Sequence, residues 1–126
     1  MNTVHVKAST EYDVKIGAGL LDSLGSEVAN LIKAGTAVIV SDSNVFPFYG
    51  QIAQNSLENA GFNVISYVFP AGEESKCGAT YLSLLNFLAE NHVTRADCLI
   101  ALGGGVVGDL TGFVAATYLR GIAYIQ

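Results

Sequence analysis

The residues that could do chemistry gather around three consecutive glycines. Leu99-Ile100-Ala101-Leu102 is an apolar run of strand type that stops at Gly103-Gly104-Gly105, and the helix-type pattern that follows carries no charge between Asp109 and Arg120. A strand, a glycine turn and a helix start together make an anion site. Glycine lets another group approach the main chain closely. The first amides of a helix have no internal partner and lie at the positive end of its dipole. The commonest anion at such a place is a phosphate or pyrophosphate. Gly103, Gly105 and Gly108 also meet the G-x-G-x-x-G spacing of dinucleotide-binding turns. Two features depart from the usual fingerprint. The turn comes late, after several strand–helix units, and no acid follows about 20 residues on to hold a ribose. On spacing alone, a glycine turn that serves only tight packing stays open as the alternative.

Two more polar clusters fall at the ends of expected strands. Ser41-Asp42-Ser43-Asn44 follows the apolar run Thr36-Ala37-Val38-Ile39-Val40, and Pro70-Ala71-Gly72-Glu73-Glu74-Ser75-Lys76 follows Asn63–Phe69. The carboxyl ends of parallel strands are where doubly wound sheets bind ligands. By residue type Asp42 is first of all a helix cap. Asp42 with Asn44, Glu73 with Lys76, and Gly103 to Asp109 on one sheet edge point more strongly to a nucleotide than any one cluster does.

The elements that must position these clusters follow from hydrophobic period. Val4, Val6 and Ala8 alternate with His5, Lys7 and Ser9, and Tyr12, Val14 and Ile16 alternate with Asp13 and Lys15. These predict two half-buried strands joined as a hairpin, with His5 on the polar face. Leu21, Leu24, Val28, Leu31 and Ile32 recur at helical spacing, with Gly35 as the stop. Val45, Phe48, Tyr49, Ile52, Ala53, Leu57 and Ala60 make a second helical stripe ended by Gly61. Tyr81, Leu84, Leu85 and Leu88 make a third, with His92 in its last turn, where a cation suits the dipole. Arg120-Gly121-Ile122-Ala123-Tyr124-Ile125-Gln126 starts a further strand. The continuous apolar runs are those of parallel strands covered on both faces. The predicted fold is α/β: a doubly wound, mostly parallel sheet with helices on both faces, preceded by an N-terminal β-hairpin. No internal repeat, low-complexity segment or linker interrupts it.

Composition narrows the function. The 126 residues suffice for one domain with a core. Hydrophobic residues make up 51% and charged residues 13%, an apolar balance that predicts a surface covered by more protein. A net charge of −5 argues against nucleic acid or anionic membrane as a partner. No apolar run is long enough to span a bilayer, and the N-terminus does not read as a signal peptide. Cys77 and Cys98 lack metal-like spacing and read as ordinary thiols of a reducing compartment, which predicts a cytoplasmic protein.

The run Gly103-Gly104-Gly105-Val106-Val107-Gly108-Asp109-Leu110-Thr111-Gly112-Phe113-Val114-Ala115-Ala116-Thr117-Tyr118-Leu119-Arg120-Gly121-Ile122 closely resembles the glycine-rich signature of the 3-dehydroquinate synthase family. Ser41–Val45 and Pro70–Lys76 resemble its two shorter nucleotide-contact segments, in register and in order. Thr111 stands where the family commonly has alanine. The resemblance implies an NAD- and metal-dependent lyase that turns 3-deoxy-D-arabino-heptulosonate 7-phosphate into 3-dehydroquinate and phosphate, in the shikimate pathway of aromatic amino acid biosynthesis. By position it implies that Asp42 and Asn44 bind the adenosine side of NAD. Glu73 and Lys76 would hold ribose and nearby groups. Gly104, Gly105 and Val106 would offer amides to the pyrophosphate, and Asp109 would face a hydroxyl or amide near the cofactor's reactive end. Arg120 would reach the substrate of a neighbouring subunit in a homodimer. Residues 1–126 would form the N-terminal NAD-binding domain. The ligands of the zinc or cobalt ion would lie in a helical domain outside this chain, so the chain alone is expected to be inactive. Three alternatives stand beside this reading: a related sugar-phosphate cyclase, a polyol dehydrogenase of the glycerol dehydrogenase type, and a non-catalytic nucleotide-binding module.

Overall fold

A computed structural model describes residues 1–126. Strands β1 (Asn2–Val6) and β2 (Tyr12–Ile16) form an antiparallel hairpin of their own. Four parallel strands make the main sheet: β3 (Thr36–Asp42), β4 (Asn63–Phe69), β5 (Cys98–Leu102) and β6 (Ala123–Ile125), in the order β4-β3-β5-β6. The helices between them are α1 (Leu24–Ala29), α2 (Phe46–Asn59), α3 (Gly78–Glu90) and α4 (Gly105–Thr117). The expected α/β architecture is therefore present.

The two central strands are apolar over Ala37–Val40 and Cys98–Leu102 because each feeds two cores. Val38, Val40, Leu99 and Ala101 pack with Leu84 and Leu88 of α3 and with Val107, Leu110 and Val114 of α4. Their neighbours Ala37, Ile39, Cys98 and Ile100 face the other way, onto Val28 of α1 and Ala53 and Leu57 of α2. The side-chain period of two sends alternate residues to opposite faces. Two polar ties fasten β3 to β5. At one end the buried Asp97 carboxylate accepts from the Thr36 amide at 2.8 Å and from the Thr94 amide at 2.7 Å. At the other, the Ser41 hydroxyl donates to the Leu102 carbonyl at 2.7 Å.

Several boundaries differ from expectation, each for a local reason. The first helix is a 3-10 turn (Leu20–Ser23) followed by only six α residues, and Leu31 is 74% exposed instead of buried. Gly25 lies against α2 so closely that a Cβ would come 1.9 Å from the Ser56 carbonyl oxygen. Gly35 lies beyond this shortened helix and does not cap it. It leaves room for Asp97, whose Oδ1 would be 2.8 Å from a Cβ there. His92 sits past the end of α3 with φ 55, where the His92 and Val93 amides close the helix on the carbonyls of Ala89 and Leu88. Helix α4 stops at Thr117, not at Arg120, and a 3-10 turn (Tyr118–Arg120) follows in which Leu119 and Arg120 are left-handed. The hairpin strands run Asn2–Val6 and Tyr12–Ile16 and are mostly exposed, not half-buried. Its apolar face, with Val4 opposite Val14 and Val6 opposite Tyr12, has no covering layer within the chain. His5 is exposed on the polar face, bonded to Asp13 at 2.7 Å and Glu11 at 3.2 Å.

Gly25→Ala should destabilise the protein by about 1–3 kcal/mol through forced separation of α1 and α2, read as a lower urea midpoint with unchanged slope. Thr111 is fully buried and its hydroxyl has no partner. Thr111→Val removes that orphan group and should raise stability by about 1 kcal/mol. A loss of stability would mean that the hydroxyl is satisfied in solution.

Candidate functional site

The strand order reverses between β3 and β5. From β3 the chain crosses to β4 on one side, and from β5 to β6 on the other. In open α/β sheets the crevice at such a point, outside the carboxyl ends of the strands, is the ligand position. The three polar clusters meet along this edge.

The glycine corner is open. Gly104 caps α4 without any side-chain hydrogen bond, and the amides of Gly105 and Val106 start the helix. Nothing lies within 4 Å of where a Cβ on Gly104 or Gly105 would stand, and both residues are exposed. Gly103 is needed for close approach, since a Cβ there would meet Val107 Cγ2 at 2.7 Å. Val107 and Leu110 bury the underside of the first turns. From β6, the Tyr124 hydroxyl donates to the Gly108 carbonyl at 2.8 Å. The amides are thus fixed from below and free above.

Asp42 does not cap α2, whose N-cap is Val45 without a side-chain bond; it closes the turn that leads into the helix. Its Oδ1 accepts from the amides of Asn44 at 2.9 Å and Val45 at 2.8 Å, which holds the turn into α2. The next residue links two loops: Ser43 donates its amide to the Phe69 carbonyl, and its hydroxyl accepts from the Ala71 amide, each at 2.9 Å. The loop after β4 is closed on itself by the Ser75 hydroxyl bonding the Pro70 carbonyl. Lys76 then crosses to α4, where Nζ donates to Asp109 Oδ2 at 2.8 Å. The Asp109 carboxylate holds the Lys76 ammonium above its ordinary value, with Glu73 adding to the effect.

Asp42, Asn44, Glu73, Lys76, Gly104, Gly105, Val106 and Asp109 therefore share one edge of the sheet. Arg120 does not join them. It lies beyond the far end of α4, about 20 Å along the axis from Gly105 at 1.5 Å per residue, exposed and left-handed at φ 68. The sequence reading missed Ser41, Ser43 and Tyr124, which tie the loops and the helix start together. A serine closing an otherwise apolar strand was the available sign for Ser41. No three His, Cys, Asp or Glu side chains are grouped closely enough to share a metal ion. No helix is long and apolar enough to cross a membrane.

The fold and this rim define a doubly wound α/β domain whose polar loops converge at the switch point. The 3-dehydroquinate synthase N-terminal family matches residues 66–126. The 3-dehydroquinate synthase of Streptococcus suis strain 05ZYH33 is 48% identical over 118 residues, which cover 94% of this chain and 33% of that protein. Among solved structures, 2-deoxy-scyllo-inosose synthase complexed with carbaglucose-6-phosphate, NAD+ and Co2+ superposes with a TM-score of 0.87 at 25% identity, over 98% of this chain and 33% of that one. The 2-epi-5-epi-valiolone synthase of Streptomyces hygroscopicus subsp. jinggangensis 5008, with NAD+ and Zn2+ bound, gives 0.76 at 26% identity, over 96% and 33%. The chain is similar to the N-terminal part of 3-dehydroquinate synthases, and it spans about a third of the length of the curated relatives it matches.

The two thiols differ sharply. The Thr80 hydroxyl beside exposed Cys77 lowers its pKa, and burial, aided by Asp97, pushes Cys98 up to about 12. The thiolate is the nucleophile, so iodoacetamide should label Cys77 with a rate midpoint below that of free cysteine and leave Cys98 intact in the folded protein, as read by peptide mass spectrometry.

Proposed function

We propose that residues 1–126 form the NAD-binding domain of a 3-dehydroquinate synthase, which converts 3-deoxy-D-arabino-heptulosonate 7-phosphate to 3-dehydroquinate and phosphate. The observation that carries this is the open amide corner at the switch point, flanked by Asp42 and Lys76. It supports a diphosphate against the amides of Gly104, Gly105 and Val106, because Gly104 and Gly105 are exposed with open space where their Cβ atoms would stand. Asp42 and Asn44 stand on the side suited to the adenosine, and Glu73 and Lys76 on the side suited to a ribose. Asp109 meets a hydroxyl or amide near the reactive end. When bound, NAD supplies a reversible hydride acceptor for a ring hydroxyl. This chain's residues bind and orient it and hold its diphosphate by main-chain donors.

The side chains here do not fit a metal site, so no step is drawn through one. In the proposed enzyme the zinc or cobalt ion sits on residues outside this chain, and the sugar-phosphate substrate lies between the two parts. Arg120, far from the corner, suits a contact with the substrate of the neighbouring subunit in a homodimer. A cyclase acting on a different sugar phosphate is the second reading, favoured by the 0.87 TM-score to 2-deoxy-scyllo-inosose synthase. The 48% identity to the Streptococcus suis synthase against 25% to that cyclase places it second.

Calorimetric titration with NAD should show binding to the 126-residue chain. Gly105→Pro is the sharp variant. Proline is accommodated at the first helical position and deletes one amide donor, and extended Gly104 suits a following proline. NAD should bind about tenfold more weakly, as expected for one lost hydrogen bond to a charged group, with the circular dichroism unchanged. An unaltered affinity would remove α4 from the cofactor site.

A further inference from the structure

We propose that Asp109 is a charge gate on the amide corner and that Lys76 sets it. This rests on the reading of the start of α4 as a diphosphate site. Gly105 and Asp109 are four residues apart on α4, so they share a helix face one turn apart. Helix side chains lean toward the N-terminus. The Asp109 carboxylate therefore leans over the turn whose amides are open. Left alone, it would repel an anion arriving there.

It is not left alone. Lys76 Nζ reaches across from the loop after β4 and donates to Asp109 Oδ2 at 2.8 Å. The side chains are 45% and 64% exposed, so a ligand can reach either partner. Glu73 is the other charge that acts on Lys76. The pair offers a ligand one donor and one acceptor. A bare inorganic anion can use only the ammonium and must leave Asp109 facing its own charge. A diphosphate that carries neutral hydroxyl or amide groups can satisfy both partners. The corner thereby selects an organic diphosphate over free phosphate or pyrophosphate, by placing a repulsive group against the wrong ligand.

The test is calorimetric titration of the 126-residue protein with inorganic pyrophosphate at low ionic strength. Asp109→Asn should bind about fivefold tighter than the unaltered chain, and Lys76→Gln about fivefold weaker, as one exposed charge at short range allows. The double variant should return close to the starting affinity. Glu90→Gln, which removes a charge at the other end of α3, should change nothing. Both partners are exposed, so all variants should fold, as thermal melting would confirm. Asp109→Asn binding pyrophosphate equally or more weakly overturns the gate, as does an equal gain in Glu90→Gln, or no pyrophosphate binding by any variant. NAD titrations of the same proteins separate the two readings. Pyrophosphate shifts as expected without NAD binding keep the gate and sink the dinucleotide site. NAD binding without the shifts does the reverse.

Discussion

The pairing of β3 with β5 is the constraint on which the rest depends. Five residue pairs, from Ala37 opposite Cys98 to Ser41 opposite Leu102, set the register. A slip of one residue would send every side chain to the wrong face, exchanging the partners of α1 and α2 with those of α3 and α4. Asp97 and Ser41 resist that slip from opposite ends with hydrogen bonds specific to Thr36 and Leu102. The same register brings the Asp42 turn and the Gly103 corner out of the sheet side by side. The packing of the core and the placement of the rim are thus one geometric fact.

Rigid and adjustable parts are divided at the surface of that edge. Below it, Val107, Leu110 and Val114 are buried in the core, so the amides at the start of α4 are held without a ligand. Above it, the contacts are exposed and polar. An exposed ion pair such as Lys76 with Asp109 adds little to stability and is correspondingly free to exchange partners. The hydrogen bonds of Ser43 connect the loops after β3 and β4, so a ligand that engages one loop acts on a joined pair.

The hairpin and the turn after α4 follow a different logic. A two-stranded hairpin is marginal by itself in water, and β1 and β2 contribute nothing to either core. Their alternating pattern is that of a sheet with one covered face, and no part of this chain covers it. Leu119, Arg120 and Gly121 hold three consecutive positive φ angles. Such conformations persist where the surroundings over-determine them, here through the bonds from the Gly121 amide to the Tyr118 carbonyl and from Ile122 to Ala115.

Period and punctuation made the alternation of strand and helix legible, and the glycine run marked the corner. Both are local properties: an apolar run needs two covering layers wherever it lies, and three glycines weaken a strand at the point where they occur. Three polar clusters at strand ends were visible in the residues themselves, and the resemblance of the 41–45, 70–76 and 103–122 segments gave them their expected roles. What the residues alone did not disclose came from contacts distant in sequence. Gly25 lets α1 lie against Ser56 of α2, and Gly35 serves Asp97 instead of a helix end. Asp109 meets Lys76 across 33 positions. The sequence by itself determined the element types, the two-faced strands and the place of the amide corner. Only the tertiary structure decided the strand order, the ties made by Ser41, Ser43 and Tyr124, and the charge partner of Asp109, because those depend on which surfaces the sheet brings within reach of one another.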